Sequence, residues 1–555
     1  MSVFSAHTLA VLRQFIRFCQ EHTISAWLVG GAVRDLVLGQ VPADIDIAVD
    51  TNGLELAHMF ATAVGGTCVT LKDARGTGRV VFPPDRTQPA PRLMMDVVQL
   101  QAPSLEADLR LRDFTINALA LPLTTADVHE PFCTAQPGAN LSPTMVIDPC
   151  GGWQDLMAGV LRLCHPAGLR LDPLRILRAV RLAAEHNLTI DPELDASLRH
   201  HAALIVQPAV ERLRDELLKL LGQPYAAPWL RYLDDITVLT RIFPELEPAR
   251  QCEQPIVHFL PVLAHSLEAV TCLEWLLAGL AGTATPDTTA HTAASPRLPY
   301  PTFPVAVQTY PDLPRTLAYA ERLHMHFTVA SGMTDERAAL LKLATLLHDN
   351  AKPATKQNKP DGGVSFYGHP EIGAATASTI AQRLRLSRQA TNYIALVVRN
   401  HMRPGQLRST ETLTMRAMAR FLRDTIDAGP DVLLHALADH LATRGPLIDP
   451  LDWQHHLSWS GMFLDMHWGQ PPERTRPLVN GNDLMQAFDL PPGKQIGILL
   501  REIQEAQAAG EISTMDEALV LARQILTLQN EERSYPAHTY RTGSMERVER
   551  KDANE

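Results

Sequence analysis

Asp44 and Asp46, on alternate positions of "DIDIAVD", follow closely on the adjacent glycines Gly30 and Gly31 of "WLVGGAVRD". Alternate side chains of an extended strand share a face, so both carboxylates would meet one point while Ile45, Ile47 and Val49 turn to the core. Such a pair suits Mg2+ held between a nucleophilic hydroxyl and a triphosphate. A turn without side chains, entering a helix that carries Arg34 and Asp35, lets backbone N–H groups approach phosphate oxygens. The combination reads as nucleotidyl transfer, although either motif alone is also an ordinary strand-to-helix turn or a solvated strand edge. Asp96, in "LMMDVVQL", is either a third carboxylate for the same metals or a strand-edge Asp facing water.

Further along, His265 in "LPVLAHSLEAV", His348-Asp349 in "LATLLHDNAKP" and Asp439 in "LLHALADHL" all sit on apolar helical stretches. Neutral imidazole with carboxylate is a donor set for Mn2+, Mg2+, Ni2+ or Fe, and an Asp buried unpaired beside Leu-Leu-His would be costly without a cation. Taken singly, each of these histidines fits a hydrogen-bonded core residue equally well. Asp172 and Arg175, three residues apart in "LDPLRILRAVRLAAEH", would share a helical face and match the donors and acceptors of a base edge. An Asp directly before Pro is also a favoured helix N-cap, and Arg175, Arg178 and Arg181 could be a solvated helix face.

These residues need elements to position them. A chain of 555 residues suggests three or four domains at roughly 150 residues each. Hydrophobic residues make up 46% and charged residues 20%, as in soluble globular proteins, and the longest apolar runs fall short of a membrane span of about 20 residues. "HTLAVLRQFIRFCQEH" reads as an amphipathic helix with Leu9, Leu12, Phe15, Ile16 and Cys19 inward, not as a leader, and a cytoplasmic location is expected. Seven scattered cysteines without a CxxC pair suit a reducing compartment and give no zinc site. A net charge of −11 argues against a basic coat for indiscriminate nucleic-acid binding while leaving room for a local basic groove.

Between residues 26 and 100, "WLVGG", "DIDIAVD", "TCVTLKD", "GRVVF" and "LMMDVVQL" read as strands, "LELAHMFATAVG" as a helix and Pro83 to Pro91 as a loop. From Pro173 the pattern is helical, including "AVERLRDELLKLLG" and "APWLRYLDDITVLTRIF". The expected fold class is α+β: a head over 1–150, a helical neck and body over 151–250, a further helical domain over 251–445 and a helical tail over 446–530. Residues 282–304, rich in Thr, Ala and Pro, read as a flexible insertion, and 531–555 as a disordered tail.

"GGAVRDLVLG…DIDIAVD" resembles the head of the polymerase-β nucleotidyltransferase superfamily, in its class II tRNA nucleotidyltransferase and poly(A) polymerase branch. "RDFTINALAL" resembles that family's RRDFTINA segment, which implies that Arg112, Asp113 and Asn117 contact the triphosphate and ribose; Leu111 stands where the first arginine is usual, with Arg110 one residue earlier. "DPCGGWQDL" resembles the DxxGG hinge, with Gly151 and Gly152 allowing the head to rotate. "LDPLRILRAVRLAAEH" resembles the nucleotide-selecting helix, which implies Asp172 and Arg175 as base readers with Arg178 among the nucleotide contacts; Leu171 replaces the usual acidic residue. "ERLRDELLKLL" resembles the next neck helix, with Arg212 and Glu216. The order His265, His348-Asp349, Asp439 resembles the HD metal-dependent phosphohydrolases, with Lys352 at a position where that family often has lysine and His369 and His401 where its two-metal members place further ligands.

The resemblance implies addition of C and A to the tRNA 3′ end from CTP and ATP, with Mg2+ at Asp44, Asp46 and Asp96. The helical body and the residue 470–530 group of the tail would grip the acceptor arm through phosphates and shape rather than sequence. It also implies a phosphohydrolase centre loaded with a divalent transition metal or Mg2+. Poly(A) addition, or addition of CC or A alone, uses the same motifs, and an HD phosphohydrolase with a non-catalytic RNA-binding head is the alternative of another class.

Overall fold

The apolar alternation of residues 26–100 folds as read. The computed structural model describes residues 6–42, 44–70, 76–83, 93–123, 141–280, 298–328, 337–360, 362–409, 414–469 and 477–534. Helix α1 (Ala6–Glu21) leads into β1 (Ala26–Val29), α2 (Gly31–Val37), β2 (Ile45–Val49), α3 (Gly53–Val64), β3 (Thr67–Thr70), β4 (Gly78–Val81), β5 (Met94–Gln99), α4 (Leu105–Arg110) and β6 (Ala120–Pro122). The strands form one mixed sheet in the order β3-β4-β5-β2-β1-β6, with β2 and β5 parallel and the other neighbours antiparallel. Leu9, Leu12, Phe15, Ile16 and Cys19 are all buried, and the Phe15 and Phe60 rings meet edge to face with centroids 4.9 Å apart. Most of the expected Pro83 to Pro91 loop lies outside the described residues.

Beyond the sheet the chain is mostly helical, with two short strand pairs: α5 (Gly152–Ala158), α6 (Gly168–Leu171), α7 (Arg175–His186), α8 (Pro192–His201), α9 (Val210–Leu221), α10 (Ala227–Asp235), α11 (Leu239–Ile242) and α12 (Val262–Leu280). The single helix expected over "APWLRYLDDITVLTRIF" is broken, because Thr237 takes a left-handed φ of 62° between α10 and α11. At the "DPCGG" segment, Asp148 accepts hydrogen bonds from the backbone N–H groups of Gly152 and Trp153, each at 2.9 Å. Gly151 has a φ of 75°, whereas Gly152 serves close approach: a Cβ there would stand 1.9 Å from the Thr115 carbonyl oxygen.

Helix α12 is long and apolar enough by composition to cross a membrane, yet most of it is buried inside the protein. Its surface is spent inside the fold, where His265, Glu268 and Glu274 are buried with its leucines. Helices Arg337–Leu347, His369–Arg383, Arg388–Asn400, Gly429–Arg444 and Pro450–Trp468 follow.

The chain falls into two compact units, one of residues 1–402 and 430–457, the other of 403–429 and 458–555. In the second, helices Gly481–Phe488, Lys494–Ala508 and Met515–Ser534 bury Leu484, Ile496, Leu499, Ile503, Ala518 and Ala522 together. Its buried Glu505 pairs with Arg420 at 2.7 Å and with Arg423. The last helix continues through Ser534, into the stretch expected to be disordered; the remainder of that tail, and residues 282–297 of the Thr/Ala/Pro-rich insertion, lie outside the described residues.

Candidate functional site

Strand β2 begins at Ile45, so Asp44 sits in the bend one residue before it and is exposed, while Asp46 lies within the strand and is half-buried. Asp46 stands opposite Asp96 on the parallel neighbour β5. Burial, reinforced by the charges of Asp96 and Asp44, pushes the Asp46 carboxyl up to about 6 against the opposing Arg112 guanidinium. The charges of Asp44 and Asp96 both act on the Asp46 carboxyl, a concentration of negative charge that favours a cation. Asp96 is not a free strand-edge carboxylate: Arg79 of β4, its register partner, grips both of its oxygens at 2.7 Å.

Gly30 adopts φ 71° and ψ −136°, a conformation essentially restricted to glycine. A Cβ there would stand 3.1 Å from Arg112 Nη1 and 3.7 Å from Asp46 Oδ2, so the bare turn is part of the wall around the carboxylates. A Cβ at Gly31 would meet the Arg34 guanidinium at 3.3 Å. Arg34 is buried, pairs with Asp35 at 2.7 Å and donates to the Asn117 side-chain oxygen at 2.7 Å. Asn117 donates in turn to Asp113 at 3.2 Å, and Asp113 pairs with Arg178 of α7 at 3.3 Å. Burial alone would raise the Asp113 carboxyl; Arg178, the Phe114 backbone N–H and Asn117 outweigh it and hold it below the usual carboxylate range. Arg178 approaches Glu216 of α9 at 3.5 Å, and Arg181 donates to the same carboxylate at 2.5 Å. A continuous polar chain thus ties the Gly30 turn to α7 and α9.

Asp172 and Arg175 do not share a helical face, because α7 begins at Arg175 and Asp172 precedes it in extended conformation. Asp172 instead caps the turn that leads into α7: its carboxylate accepts from the Leu174 N–H at 3.3 Å and its carbonyl from the Arg175 N–H at 3.0 Å. It also pairs with Arg212 of α9 at 2.8 Å. Arg175 is buried and donates to the backbone carbonyls of Leu111 and Arg112 at 3.2 and 3.3 Å. The departures noted in the sequence, Leu111 and Leu171, are both exposed.

A second centre forms where α12 and helices Arg337–Leu347, His369–Arg383, Arg388–Asn400 and Gly429–Arg444 bring their polar residues together. His265 Nε2 lies 2.9 Å from Asp439 Oδ1, and His348 Nε2 lies 3.1 Å from Asp349 Oδ2 and 3.5 Å from Asp439 Oδ1. The other oxygen of Asp349 faces His369 and His401, whose Nε2 atoms are 3.5 and 3.7 Å away. Asp349 therefore joins two groups of donors. His265 Nε2, His348 Nε2 and Asp349 Oδ1, which face this point, are buried without a hydrogen-bond partner, as fits residues shaped to hold cations. Burial would depress the His348 imidazole, yet Asp349 and Asp439 drive it up to about 10, a measure of how strongly this point attracts positive charge. Lys352 Nζ stands 2.6 Å from Asp349 Oδ2 and donates to Gln254.

Four family models match the chain. The Poly A polymerase head domain matches residues 26–162, the RNA-binding site of polymerase A 187–250, the HD domain 314–443 and tRNA nucleotidyltransferase domain 2 residues 472–522. The A-adding tRNA nucleotidyltransferase of Deinococcus radiodurans is 33% identical over 89% of this chain and 94% of its own length. The chain belongs to the tRNA nucleotidyltransferase family. The CC-adding tRNA nucleotidyltransferase of Thermus thermophilus is 30% identical over 89% of this chain and 92% of its own. The fold is that of the Thermotoga maritima CCA-adding enzyme complexed with tRNA, with a TM-score of 0.57 at 19% identity, covering 94% of this chain and 96% of that one.

In this nucleotidyltransferase, several site residues escaped the sequence reading. Arg79 carried no motif to mark its hold on Asp96. Buried Asp108 accepts from the Gln101 N–H at 2.8 Å and faces Arg112 at 3.5 Å. His435 is buried with its ring centroid 4.9 Å from that of His348 and is held at Nδ1 by Thr345, 3.0 Å away. Its signal was available, since it precedes Asp439 by one helical turn.

Proposed function

We propose that this nucleotidyltransferase adds C and A, without a template, to the 3′ end of tRNA and completes the CCA terminus. The observation that carries the reading is Asp46 beside the Gly30 turn, opposite Asp96, under the charge of Asp44 and facing Arg112. The tRNA 3′-hydroxyl attacks the α-phosphate of CTP or ATP, a new phosphodiester forms and pyrophosphate leaves. Asp44 and Asp46, with Asp96 in support, would hold Mg2+, which would supply Lewis-acid stabilisation of that exchange. Arg112, Asp113 and Asn117 hold triphosphate and ribose, with Arg34 and Arg178 fixing their positions. Asp172 and Arg175 select the base, Arg212 keeping the Asp172 carboxylate in place. The helical body and, separately, residues 470–530 bind the acceptor arm, and the reaction belongs in the cytoplasm.

A second reading, addition of CC or of the terminal A alone, draws support from the relatives matched over about nine tenths of this chain, which carry those names. Gel-resolved extension of tRNA transcripts ending in the discriminator base, C or CC, with CTP and ATP alone and together, decides between them. Growth to CCA and a stop there supports the first; a stop at CC, or addition only to CC ends, supports the second. A long adenosine ladder, or no incorporation, defeats both.

For the HD centre we propose hydrolysis of phosphate esters, monoesters or cyclic and linear diesters. His265, His348, Asp349 and Asp439 would hold one divalent ion, and Asp349, His369 and His401 a second. Their mixed imidazole and carboxylate donors suit Mn2+, Ni2+ or Fe as well as Mg2+.

A further inference from the structure

A third group of donors shares no residue with either centre. His440 follows Asp439 on helix Gly429–Arg444, which turns it about 100° away from the HD ligands. Asp452 and His456 are one turn apart on helix Pro450–Trp468 and therefore on one face. His440 Nε2 and His456 Nε2 lie 3.5 and 3.6 Å from the same oxygen, Asp452 Oδ2. Both separations exceed a good N–H···O hydrogen bond. They match the edge of a coordination tetrahedron, where bonds of about 2.0–2.1 Å set neighbouring donor atoms roughly 3.3 Å apart. The three donor atoms fall within 4.8 Å of one another.

The surroundings hold this arrangement. The His440 ring lies nearly parallel to fully buried Trp453, at 4° with centroids 6.3 Å apart, and Trp453 donates to the Pro314 carbonyl at 2.6 Å. On its other contact His440 stacks against His456, with centroids 3.7 Å apart. The imidazoles are mostly buried, at 13% and 14% side-chain exposure, while Asp452 is 31% exposed, leaving one side open to water.

We propose that His440, Asp452 and His456 form a third divalent-metal site, of the Zn2+ or Ni2+ class, with water completing the coordination. It links helix Gly429–Arg444 to helix Pro450–Trp468, so that metal binding adds to the stability of the fold. This inference is independent of the reactions proposed above.

The test is metal stoichiometry and thermal unfolding of the full chain. Protein stripped with chelator is equilibrated with Zn2+ and, separately, Ni2+; bound metal is counted for wild type, His456→Ala and Asp452→Asn. Each variant should bind one equivalent fewer than wild type, or bind that equivalent at least tenfold more weakly, and should gain less in Tm on metal addition. Their melting in chelator should stay within a few degrees of wild type. Should His456→Ala fail to fold, Asp452→Asn, which keeps shape and polarity, decides by the same count. Equal stoichiometry and equal metal-induced Tm shifts in wild type and a folded variant overturn the proposal.

Discussion

Arg178 of the neck helix α7 stands 3.3 Å from Asp113 of the head, and through it a single polar chain runs from Arg34 and Asn117 to Glu216. The segment proposed to hold the nucleotide is thus oriented from behind by a residue on another element. Arg178→Met should lower kcat/KM for nucleotide about tenfold or more, equivalent to about 1.4 kcal/mol of transition-state stabilisation. Its cost in folding stability should be smaller, about 1 kcal/mol, because the Arg178 side chain is 39% exposed and its ion pair is screened. Steady-state kinetics and urea denaturation together check both; an unchanged kcat/KM would remove the positioning role.

The two centres should fail separately. Asp44→Ala with Asp46→Ala is expected to abolish nucleotide incorporation while sparing phosphoester hydrolysis, and His348→Ala with Asp349→Ala to do the reverse. Loss of both activities from either double variant breaks the assignment of one reaction to each site.

Gly30→Ala should be disproportionately harmful. The backbone there costs an L-residue about 1–3 kcal/mol, and the added methyl crowds Arg112 Nη1 at 3.1 Å. Gly65→Ala, at φ 67° and ψ 23° in the milder αL region and with nothing within 4 Å of the new Cβ, controls for a positive φ without crowding. Both variants should lose stability, but only Gly30→Ala should lose incorporation; equal activities would show that the crowding of Arg112 has no consequence.

Asp431 gives the acid branch of stability a named contributor. It is fully buried, with Arg337 at 2.9 and 2.8 Å, His326 at 2.7 Å and a hydrogen bond from the Tyr393 hydroxyl at 2.6 Å. Burial would raise its carboxyl, but the bonds to His326 and Arg337 and the Arg337 charge bring it down to about 2. The unfolded value is higher, about 3.9, so the contribution is complete above that pH and is lost as pH falls toward 2. The stability gap between wild type and Asp431→Asn, from urea midpoints, should shrink by about 1 kcal/mol between pH 5 and pH 3. A gap that does not vary with pH would contradict this.

Much of the head was legible because its five longer strands carry alternating apolar residues between turn residues, and period-two patterning survives any tertiary context. Strand β6 was not, since three residues within "NALALP" offer too short a pattern. The break at Thr237 was equally hidden, because a single left-handed residue leaves the helical apolar spacing on either side intact. At Asp172 the Asp-Pro cap was legible, but the helical face shared with Arg175 was not, because the chain is still extended at Asp172. At the HD centre the ligand types were visible one by one, while their convergence depends on helices up to 174 residues apart in sequence, from His265 to Asp439, which no local pattern encodes.

Arg175 grips the carbonyl oxygens of Leu111 and Arg112, peptide groups that every amino acid carries. What fastens the neck to the head at this point is therefore blind to the letter written at position 111. The leucine that interrupts the double-arginine signature points outward, and replacing it with arginine, alanine or glutamine would leave the same two acceptors in place. The motif can drift here without the joint coming loose.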